Sequence, residues 1–281
     1  MNNQYNFAFF DEGSKREIRR ATLKAIGIPG YQVPFASREM PIGRGWGTGG
    51  LQLSLSLVTT EDVIKVIDQG TDESVNAVSI KKLIQGTTGI DETVNTHEAT
   101  LIQSRHRIPE YPLKEGQIVV LQVPIPEPLR NVEPSEYVTK RLHADGDYSG
   151  AWMELFEKIV KYGRLATIAA HPVMVEERYV MTPSPIPKYD NPRLDGCEAL
   201  LLFGAGREKK IQAIPPYSKV VSLGFEDYPF ELEDFTGKRC CQCGATDVYL
   251  DEFEDEETGE KYYQCNDTSY CLDRMNKKEV S

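Results

Sequence analysis

The sequence lacks any excess of positive charge, and it lacks long hydrophobic runs. Its 281 residues contain 32 Lys and Arg against 43 Asp and Glu, which gives a formal net charge of −11. A protein that binds nucleic acid through the phosphate backbone needs a basic surface, so this balance argues against that class. The apolar stretches, such as the one near 118–123, are far shorter than the roughly 20 residues that a membrane-spanning helix requires. We therefore expect neither nucleic acid nor a membrane as a partner.

The N-terminal stretch also lacks the pattern of a secretory signal. It reads MNNQYNFAFFDEGSKREIRR, without the successive basic, apolar and small-residue regions that such a signal combines. The composition, 40% hydrophobic and 27% charged, is that of an ordinary globular protein. These features predict a cytoplasmic location, where cysteines remain mostly reduced.

The negative charge is concentrated in one window of the chain. Residues 226–260 carry 13 acidic and 2 basic side chains, a net charge of −11 that equals the imbalance of the whole sequence. This window surrounds a group of cysteines near the C-terminus. We interpret its most acidic run, 252–257, as a solvated loop.

Hydrophobic periodicity and turn residues indicate an α/β or α+β fold with a mixed sheet. Apolar residues at helical spacing predict helices, and apolar runs bounded by turn residues predict strands. The predicted helices cover 11–26, 59–70, 74–85 and 151–162. The predicted strands cover 101–103, 118–123, 165–170, 199–203, 211–214 and 220–223, the last three of which would return the chain to the first sheet.

Proline-rich segments at 124–128 and 183–188 interrupt this order and divide the chain into three parts. The predicted core domain comprises 1–125 and 196–235. An insertion with a small fold of its own occupies 126–195, and a cysteine-rich module occupies 236–281.

Five of the six cysteines lie in the last 42 residues. Cys240 and Cys243 form a C-x2-C pair, and Cys265 and Cys271 follow. Two thiolates on one tight turn can bind the same ion, so the spacing favours a structural zinc site made of four cysteines. Ligation of an iron–sulfur cluster by three of the four is the alternative. Neither interpretation needs Cys241, which we expect not to bind.

Glycine-rich and basic segments are candidate anion sites. The segment 43–50 has five glycines, and so free a backbone can direct N–H groups at an anion; a flexible loop held by Trp46 is the alternative. The segment 204–207 follows a predicted strand and is a second candidate. The segment 105–107 could bind a phosphate, with its histidine as a metal ligand or proton donor. The candidate residues are Gly47, Gly49, Gly50, Arg105, His106, Arg107 and Arg207.

Gly30 follows the first predicted helix, between Pro29 and Tyr31. Taken alone, this position is typical of a helix C-cap or a turn.

Several longer strings occur along almost the whole chain, from the N-terminal YNFAF to Cys271. They include IPGYQVPF (28–35), GWGTGG (45–50), RHRIPE (105–110), QVPIPEPLR (122–130), PSPIPK (183–188) and LFGAGREK (202–209). Together with the terminal C-x2-C-x21-C-x5-C pattern, these strings resemble the PhnJ family, the catalytic subunits of the bacterial carbon–phosphorus lyase.

This resemblance implies a radical S-adenosylmethionine enzyme that cleaves α-D-ribose 1-methylphosphonate 5-phosphate. The implied products are methane and ribose 1,2-cyclic phosphate 5-phosphate. By similarity, Cys240, Cys243 and Cys265 hold a 4Fe–4S cluster, Gly30 matches the glycyl-radical position of the family, and Cys271 matches its thiyl-radical cysteine. Zinc bound by all four cysteines would give an inactive form.

The resemblance also implies partners. The family works in a complex with companion subunits and an ATP-binding-cassette protein, and we predict that the insertion 126–195 is the docking surface for that ATPase.

Composition and cysteine spacing alone favour another hypothesis, in which the chain is a non-catalytic complex subunit with a structural zinc ribbon. The chain-long resemblance favours the lyase instead. A zinc hydrolase is excluded, because a site closed by four cysteines leaves no open position on the metal.

Overall fold

A computed structural model of the chain describes residues 11–37, 48–68, 72–105, 107–122, 173–181, 190–205, 209–223, 235–246 and 248–279, with isolated positions between 133 and 157. The α-helices in these ranges are α1 (Glu12–Gly27), α2 (Thr48–Leu57), α3 (Val75–Thr88) and α4 (Thr268–Glu279). The strands are β1 (Val33–Pro34), β2 (Val63–Ile67), β3 (Asp91–Glu92), β4 (Leu101–Ser104), β5 (Ile118–Gln122), β6 (Val173–Val175), β7 (Tyr179–Met181), β8 (Leu200–Ala205), β9 (Lys210–Ile214), β10 (Val220–Ser222), β11 (Asp251–Glu254) and β12 (Lys261–Gln264).

The body is built on a mixed seven-stranded sheet in the order β1-β9-β8-β5-β4-β2-β3. Strands β3, β2, β4, β5 and β8 run parallel, whereas β9 and β1 are antiparallel additions at one side. The central strands are apolar on both faces because both faces are covered, as expected for parallel strands. The structure thus confirms the predicted mixed α/β fold class.

Helices cover one face of this sheet. Ile18 of α1, Leu53 of α2 and Ile84 of α3 are buried in one cluster with Val120 and Leu202 of the central strands. The predicted helix at 11–26 is confirmed as α1, whose N-cap Asp11 accepts a hydrogen bond from the Ser14 N–H. The predicted helix at 74–85 is confirmed as α3, which Ser74 caps in the same way.

The opposite face is covered by a small three-stranded sheet in the order β10-β6-β7 and by a short 3-10 helix, Asn191–Leu194. Val173, Val175 and Met181 of the small sheet pack with Val119 and Phe203 of the large one. Strands β6 and β7 and the 3-10 helix at the end of the 126–195 segment therefore pack against the large sheet. The predicted helix at 151–162 and strand at 165–170 fall largely outside the described residues.

Two sequence predictions are wrong. The pattern at 59–70 predicts a helix, but Val63–Ile67 forms β2 in the middle of the parallel set. The strand predicted at 220–223 is assigned to the first sheet by the sequence, but β10 pairs with β6 instead. Strands β4, β5, β8 and β9 are confirmed where the sequence predicts them.

The C-terminal module consists of the β11–β12 hairpin, helix α4 and the turn that carries Cys240 and Cys243. Residues 254–260 at the hairpin tip are all exposed, in agreement with the solvated acidic loop. None of the helices in the described ranges is long and apolar enough to span a bilayer.

Candidate functional site

Two separate segments bring the four predicted cysteine ligands together. Cys240 and Cys243 lie on a turn closed by a hydrogen bond from the Gly244 N–H to the Cys240 carbonyl, 2.9 Å. Gly244 has φ +68°, a conformation that glycine adopts without strain. Cys265 follows β12, and Cys271 lies in the first turns of α4.

The four sulfur atoms lie close enough together for one metal ion to bind all of them. All four cysteines are buried, and their sulfurs lie within 4.8 Å of one another. The sulfur–sulfur distances are 3.5 Å for Cys240–Cys271 and Cys240–Cys265, 3.6 Å for Cys243–Cys265 and 2.7 Å for Cys265–Cys271. Metal–sulfur bonds of about 2.3 Å in tetrahedral geometry place sulfurs about 3.8 Å apart. Cys241 is exposed and is not part of the group, as expected.

The hydrogen bonds among these thiols change their pKa values. Donation from the Cys265 and Cys271 thiols lowers the pKa of Cys240. The same contacts with Cys240 raise the pKa of Cys265, and they raise the pKa of Cys271 as well. A cation bound among the sulfurs would oppose the increases at Cys265 and Cys271, because positive charge favours the thiolate form.

Arg107, a predicted substrate residue, lies in the interior with 3% of its surface exposed. Its guanidinium contacts Glu110 at 3.1 Å, Asp190 at 3.3 Å and Asp251 at 3.5 Å, and it lies over the Tyr249 ring. These partners come from three different segments, including β11 of the cysteine module. In this conformation Arg107 joins the module to the body and is shielded from solvent.

Glu110 is buried beside Arg107. Its Oε1 accepts a hydrogen bond from the Asn266 N–H, 2.9 Å, within the Cys265–Cys271 segment. Burial raises the pKa of Glu110 to about 7, although the positive charge of Arg107 acts in the opposite direction. The folded protein therefore keeps this carboxyl largely protonated at a pH where the unfolded chain ionises it.

This shift predicts a pH dependence of stability that Glu110→Gln should reduce. Between the unfolded pKa of 4.5 and the folded pKa of about 7, the folded state binds more protons, so the free energy of unfolding falls as pH rises. The full contribution of the shift is roughly 3 kcal/mol. Urea denaturation between pH 5 and 8 should show a flatter profile for Glu110→Gln than for the wild type. Parallel profiles would contradict the shift.

Gly30 is buried in a left-handed turn at the end of α1, with φ +79°. Its N–H donates to the Ala213 carbonyl at 2.9 Å, and its carbonyl accepts from Gln212 Nε2 at 3.1 Å. A Cβ at this position would lie 2.8 Å from the Val175 Cβ and 3.2 Å from the Tyr179 Cβ. Both conformation and packing therefore require glycine here.

Three of the predicted anion-binding residues lie at the carboxyl ends of the parallel strands. The N-terminus of α2, with Gly49 and Gly50, packs against Gln122 at the end of β5 and against Gly204 in β8. At Gly204 a Cβ would lie 2.9 Å from the Gly49 carbonyl oxygen, so the close approach depends on that glycine. A helix N-terminus at this edge of an α/β sheet is a typical place for an anion.

Arg105 follows β4 at the same edge and forms an ion pair with Asp68 after β2, 2.8 Å. The remaining candidates, Gly47, His106 and Arg207, lie outside the described residues.

The structure does not bring Gly30 and Cys271 together. Gly30 is bonded to Ala213 of β9, whereas the Cys265–Cys271 segment contacts β2 through the Lys65–Asp267 ion pair. Four interstrand steps separate β9 from β2, which amounts to about 19 Å of sheet. Direct contact between Gly30 and Cys271 therefore needs a rearrangement of this conformation.

The contacts that attach the cysteine module to the sheet were not predicted from the sequence. They involve Lys65, Asp267 and Glu110, which are all buried. The one signal that could have identified them is a lysine inside the apolar run 63–67, because a buried lysine requires acidic partners.

Comparison with known proteins identifies relatives along nearly the whole chain. A family model described as phosphonate metabolism protein PhnJ matches residues 3–277. The α-D-ribose 1-methylphosphonate 5-phosphate C-P-lyase of Rhizobium meliloti (strain 1021) is 57% identical over 270 residues, 96% of this chain and 91% of the relative. The corresponding C-P lyase of Escherichia coli (strain K12) is 53% identical over 274 residues, 98% of this chain and 97% of the relative. The chain therefore belongs to the PhnJ family of phosphonate metabolism proteins.

Proposed function

We propose that this chain is a lyase that cleaves the carbon–phosphorus bond of α-D-ribose 1-methylphosphonate 5-phosphate. The proposal adds methane and ribose 1,2-cyclic phosphate 5-phosphate as products, and S-adenosylmethionine as the source of the radical. Its main support is the identity of 57% and 53% to two relatives that carry this activity in their names, over 96% and 98% of the chain. The companion subunits, the ATP-binding-cassette protein and the cytoplasmic location belong to the same proposal.

The donor chemistry of the four-cysteine group fits an iron–sulfur cluster as well as zinc, since both take thiolates. In the proposed active form, Cys240, Cys243 and Cys265 would hold a 4Fe–4S cluster, which would supply the electron that splits S-adenosylmethionine. The described spacing is the compact one of a single ion. In the proposed active form Cys271 must be free of the metal, because the proposed reaction uses its thiol.

Gly30 is the proposed store of the radical. Gly30 would give one Cα hydrogen atom to the 5′-deoxyadenosyl radical derived from S-adenosylmethionine, which becomes 5′-deoxyadenosine. The unpaired electron left on Gly30 is shared with the flanking amides, and the missing side chain allows the planar geometry this needs. The burial of Gly30 keeps solvent from that carbon. The stored radical then takes the hydrogen atom of the Cys271 thiol, whose S–H bond is weak, and Gly30 regains its hydrogen.

Cys271 is the proposed covalent catalyst. Its sulfur radical forms a bond to phosphorus while the carbon–phosphorus bond breaks and a methyl radical leaves. The methyl radical takes a hydrogen atom from Gly30 and becomes methane, which restores the radical on Gly30. The ribose 2-hydroxyl then displaces the sulfur from phosphorus and gives its proton to the Cys271 thiolate. As in nucleophilic catalysis generally, one difficult step becomes two easier ones.

The α2 N-terminus with Gly49 and Gly50, together with Arg105, is the proposed site for the anionic groups of the substrate. Gly47, His106 and Arg207 complete the proposed set by sequence. Because Arg107 is enclosed by three carboxylates, its proposed contribution to this set depends on opening of the 105–111 segment.

Anaerobic reconstitution tests the proposal. The chain is loaded with iron and sulfide, reduced, and supplied with S-adenosylmethionine, substrate and companion subunits, and 5′-deoxyadenosine and methane are measured. Cys243→Ser should lose the cluster and both products, because Cys243 is buried within the ligand group. Cys241→Ser is the matched control and should retain both. A cluster-loaded wild type that forms neither product would refute the lyase assignment.

A second candidate is a non-catalytic subunit with a structural zinc ribbon, favoured by the compact spacing of the four sulfurs. It predicts that zinc-loaded protein supports methane formation by the assembled subunits as well as the iron-loaded protein does. The lyase proposal predicts that zinc-loaded protein is inactive.

A further inference from the structure

Lys65 is a feature of the body that the proposed reaction does not use. It lies in the middle of β2, a strand that is otherwise apolar, and it is fully buried. Its ammonium group contacts Asp72 Oδ2 and the Val94 carbonyl, both at 2.5 Å, and Asp267 Oδ1 at 3.2 Å. Burying an ion pair costs desolvation free energy, and well-packed apolar side chains often give equal stability. The ion pairs of Lys65 with Asp72 and Asp267 therefore indicate that Lys65 fixes the position of these residues, rather than that it adds stability.

Asp267 connects Lys65 to two of the metal ligands. It follows Cys265 by two residues and precedes Cys271 by four. Its Oδ1 accepts hydrogen bonds from the N–H groups of Ser269 and Tyr270, at 3.1 and 3.4 Å, as the N-cap of a helix does. Its backbone carbonyl accepts the N–H of Cys271 at 3.1 Å. Any contact that fixes Asp267 therefore fixes the start of α4 and the ligand on it.

The other carboxylate oxygen of Asp267, Oδ2, is hydrogen-bonded by Thr96, which lies between β3 and β4. Thr96 Oγ1 donates to Asp267 Oδ2 at 2.7 Å, and the Thr96 N–H donates to Ser269 Oγ at 3.2 Å. Gln117 in turn donates to the Thr96 carbonyl at 2.7 Å. Both oxygens of Asp267 are thus bonded to groups of the sheet and its loops, and all these residues are buried.

We propose that Lys65 positions the Cys265–Cys271 segment through Asp267 and thereby raises the affinity of the four-cysteine site for its ion. One contribution is preorganisation, because the segment is held before the ion arrives. The other is electrostatic: four thiolates around a divalent ion leave the site negative, and Lys65 balances the carboxylate of Asp267 close to them. Lys65 is a positioning residue, because its described contacts include no ligand sulfur. This role does not depend on the proposed lyase activity.

The test is Lys65→Met in the full-length chain, stripped of metal and titrated with Zn²⁺ in competition with a chromophoric chelator. Loss of an outer contact of this kind lowers metal affinity by about 10- to 100-fold, and we expect at least the lower value. With Co²⁺ as the probe, the sulfur-to-cobalt charge-transfer bands should also shift, because two of the four sulfurs lose their fixed position. The double variant Lys65→Met/Asp267→Asn should recover part of the affinity, because it leaves no unpaired charge on Asp267.

A core variant separates positioning from general loss of stability. Leu83→Ala opens a cavity under α3, on the other face of the sheet, and should lower the melting temperature without altering Zn²⁺ affinity or the Co²⁺ spectrum. If Lys65→Met does not fold, Thr96→Val is the substitute, because it removes the hydrogen bond from Thr96 Oγ1 to Asp267 Oδ2. Thr96→Val should still weaken Zn²⁺ binding and shift the Co²⁺ spectrum. Wild-type affinity in the foldable Lys65 or Thr96 variant, or an equal loss in Leu83→Ala, would overturn the proposal.

Discussion

Replacing Gly30 with alanine is expected to abolish methane formation while leaving some cleavage of S-adenosylmethionine. Under the proposed mechanism, Gly30 supplies the hydrogen atom of methane and stores the radical between turnovers. An alanine Cβ would also lie 2.8 Å from the Val175 Cβ, in a backbone conformation with φ +79°. The substitution therefore removes the planar radical site and strains the turn, at a cost of about 1–3 kcal/mol in the free energy of unfolding.

A matched glycine distinguishes the two effects. Gly89 has φ +73° but nothing within 4 Å of its Cβ position, so Gly89→Ala carries the conformational strain without the clash or the chemistry. Methane is measured by gas chromatography, 5′-deoxyadenosine by liquid chromatography, and folding by the melting temperature. Gly89→Ala should form methane at nearly the wild-type rate. Methane from a folded Gly30→Ala variant would remove Gly30 from the mechanism.

The strand β2 shows why part of the fold could not be predicted from sequence. Apolar residues at 63, 64, 66 and 67 fit one face of a helix, and Thr59 or Thr60 before acidic residues resembles an N-cap. In the structure both faces of β2 are buried. The same apolar run is therefore equally suitable for a central parallel strand. The position that breaks the run, Lys65, is neutralised by Asp72, seven residues away, and by Asp267 near the other end of the chain. No local pattern contains the contact with Asp267.

The sequence pattern does not predict helix α2 either, because this helix also lacks a distinctive hydrophobic period. Leucine alternates with glutamine or serine at 51–56, and all six positions are buried. A helix that is buried on every side has no amphipathic period to identify it.

The cysteine ligands, by contrast, were predictable because the tight C-x2-C turn is a local feature. Their spacing predicts the group that the structure brings together, including the exclusion of Cys241. The family could be identified from the amino-acid sequence alone, since long strings in constant order are specific. What the sequence could not indicate is how the module is attached to the sheet, because each attachment joins residues that are distant along the chain, such as Arg107 and Asp251.

Because Arg107 joins the cysteine module to the sheet, replacing it should destabilise the protein strongly. We expect Arg107→Met to lower the free energy of unfolding by about 3–5 kcal/mol, as is usual when one partner of a buried ionic group is removed. Glu110 and Asp251 would then lose the Arg107 cation, and Asp190 would keep only Arg193, at 3.8 Å. Burial already raises the pKa of Glu110 to about 7 with Arg107 present. Without that cation, Glu110 and Asp251 should take up protons to avoid burying uncompensated charge.

Proton uptake gives this prediction a specific pH dependence. The difference between wild type and Arg107→Met should be large at pH 7.5 and smaller at pH 5.5, where protonated carboxyls need no counterion. Urea denaturation at both values measures it. Lys219→Met, which breaks the exposed pair with Glu177, is the control and should change stability little at either pH, because exposed pairs contribute little. A loss in Arg107→Met that is equal at both pH values would mean that packing, rather than charge, makes Arg107 necessary. A loss no larger than that of Lys219→Met would mean that the cysteine module does not depend on Arg107 for its attachment to the sheet.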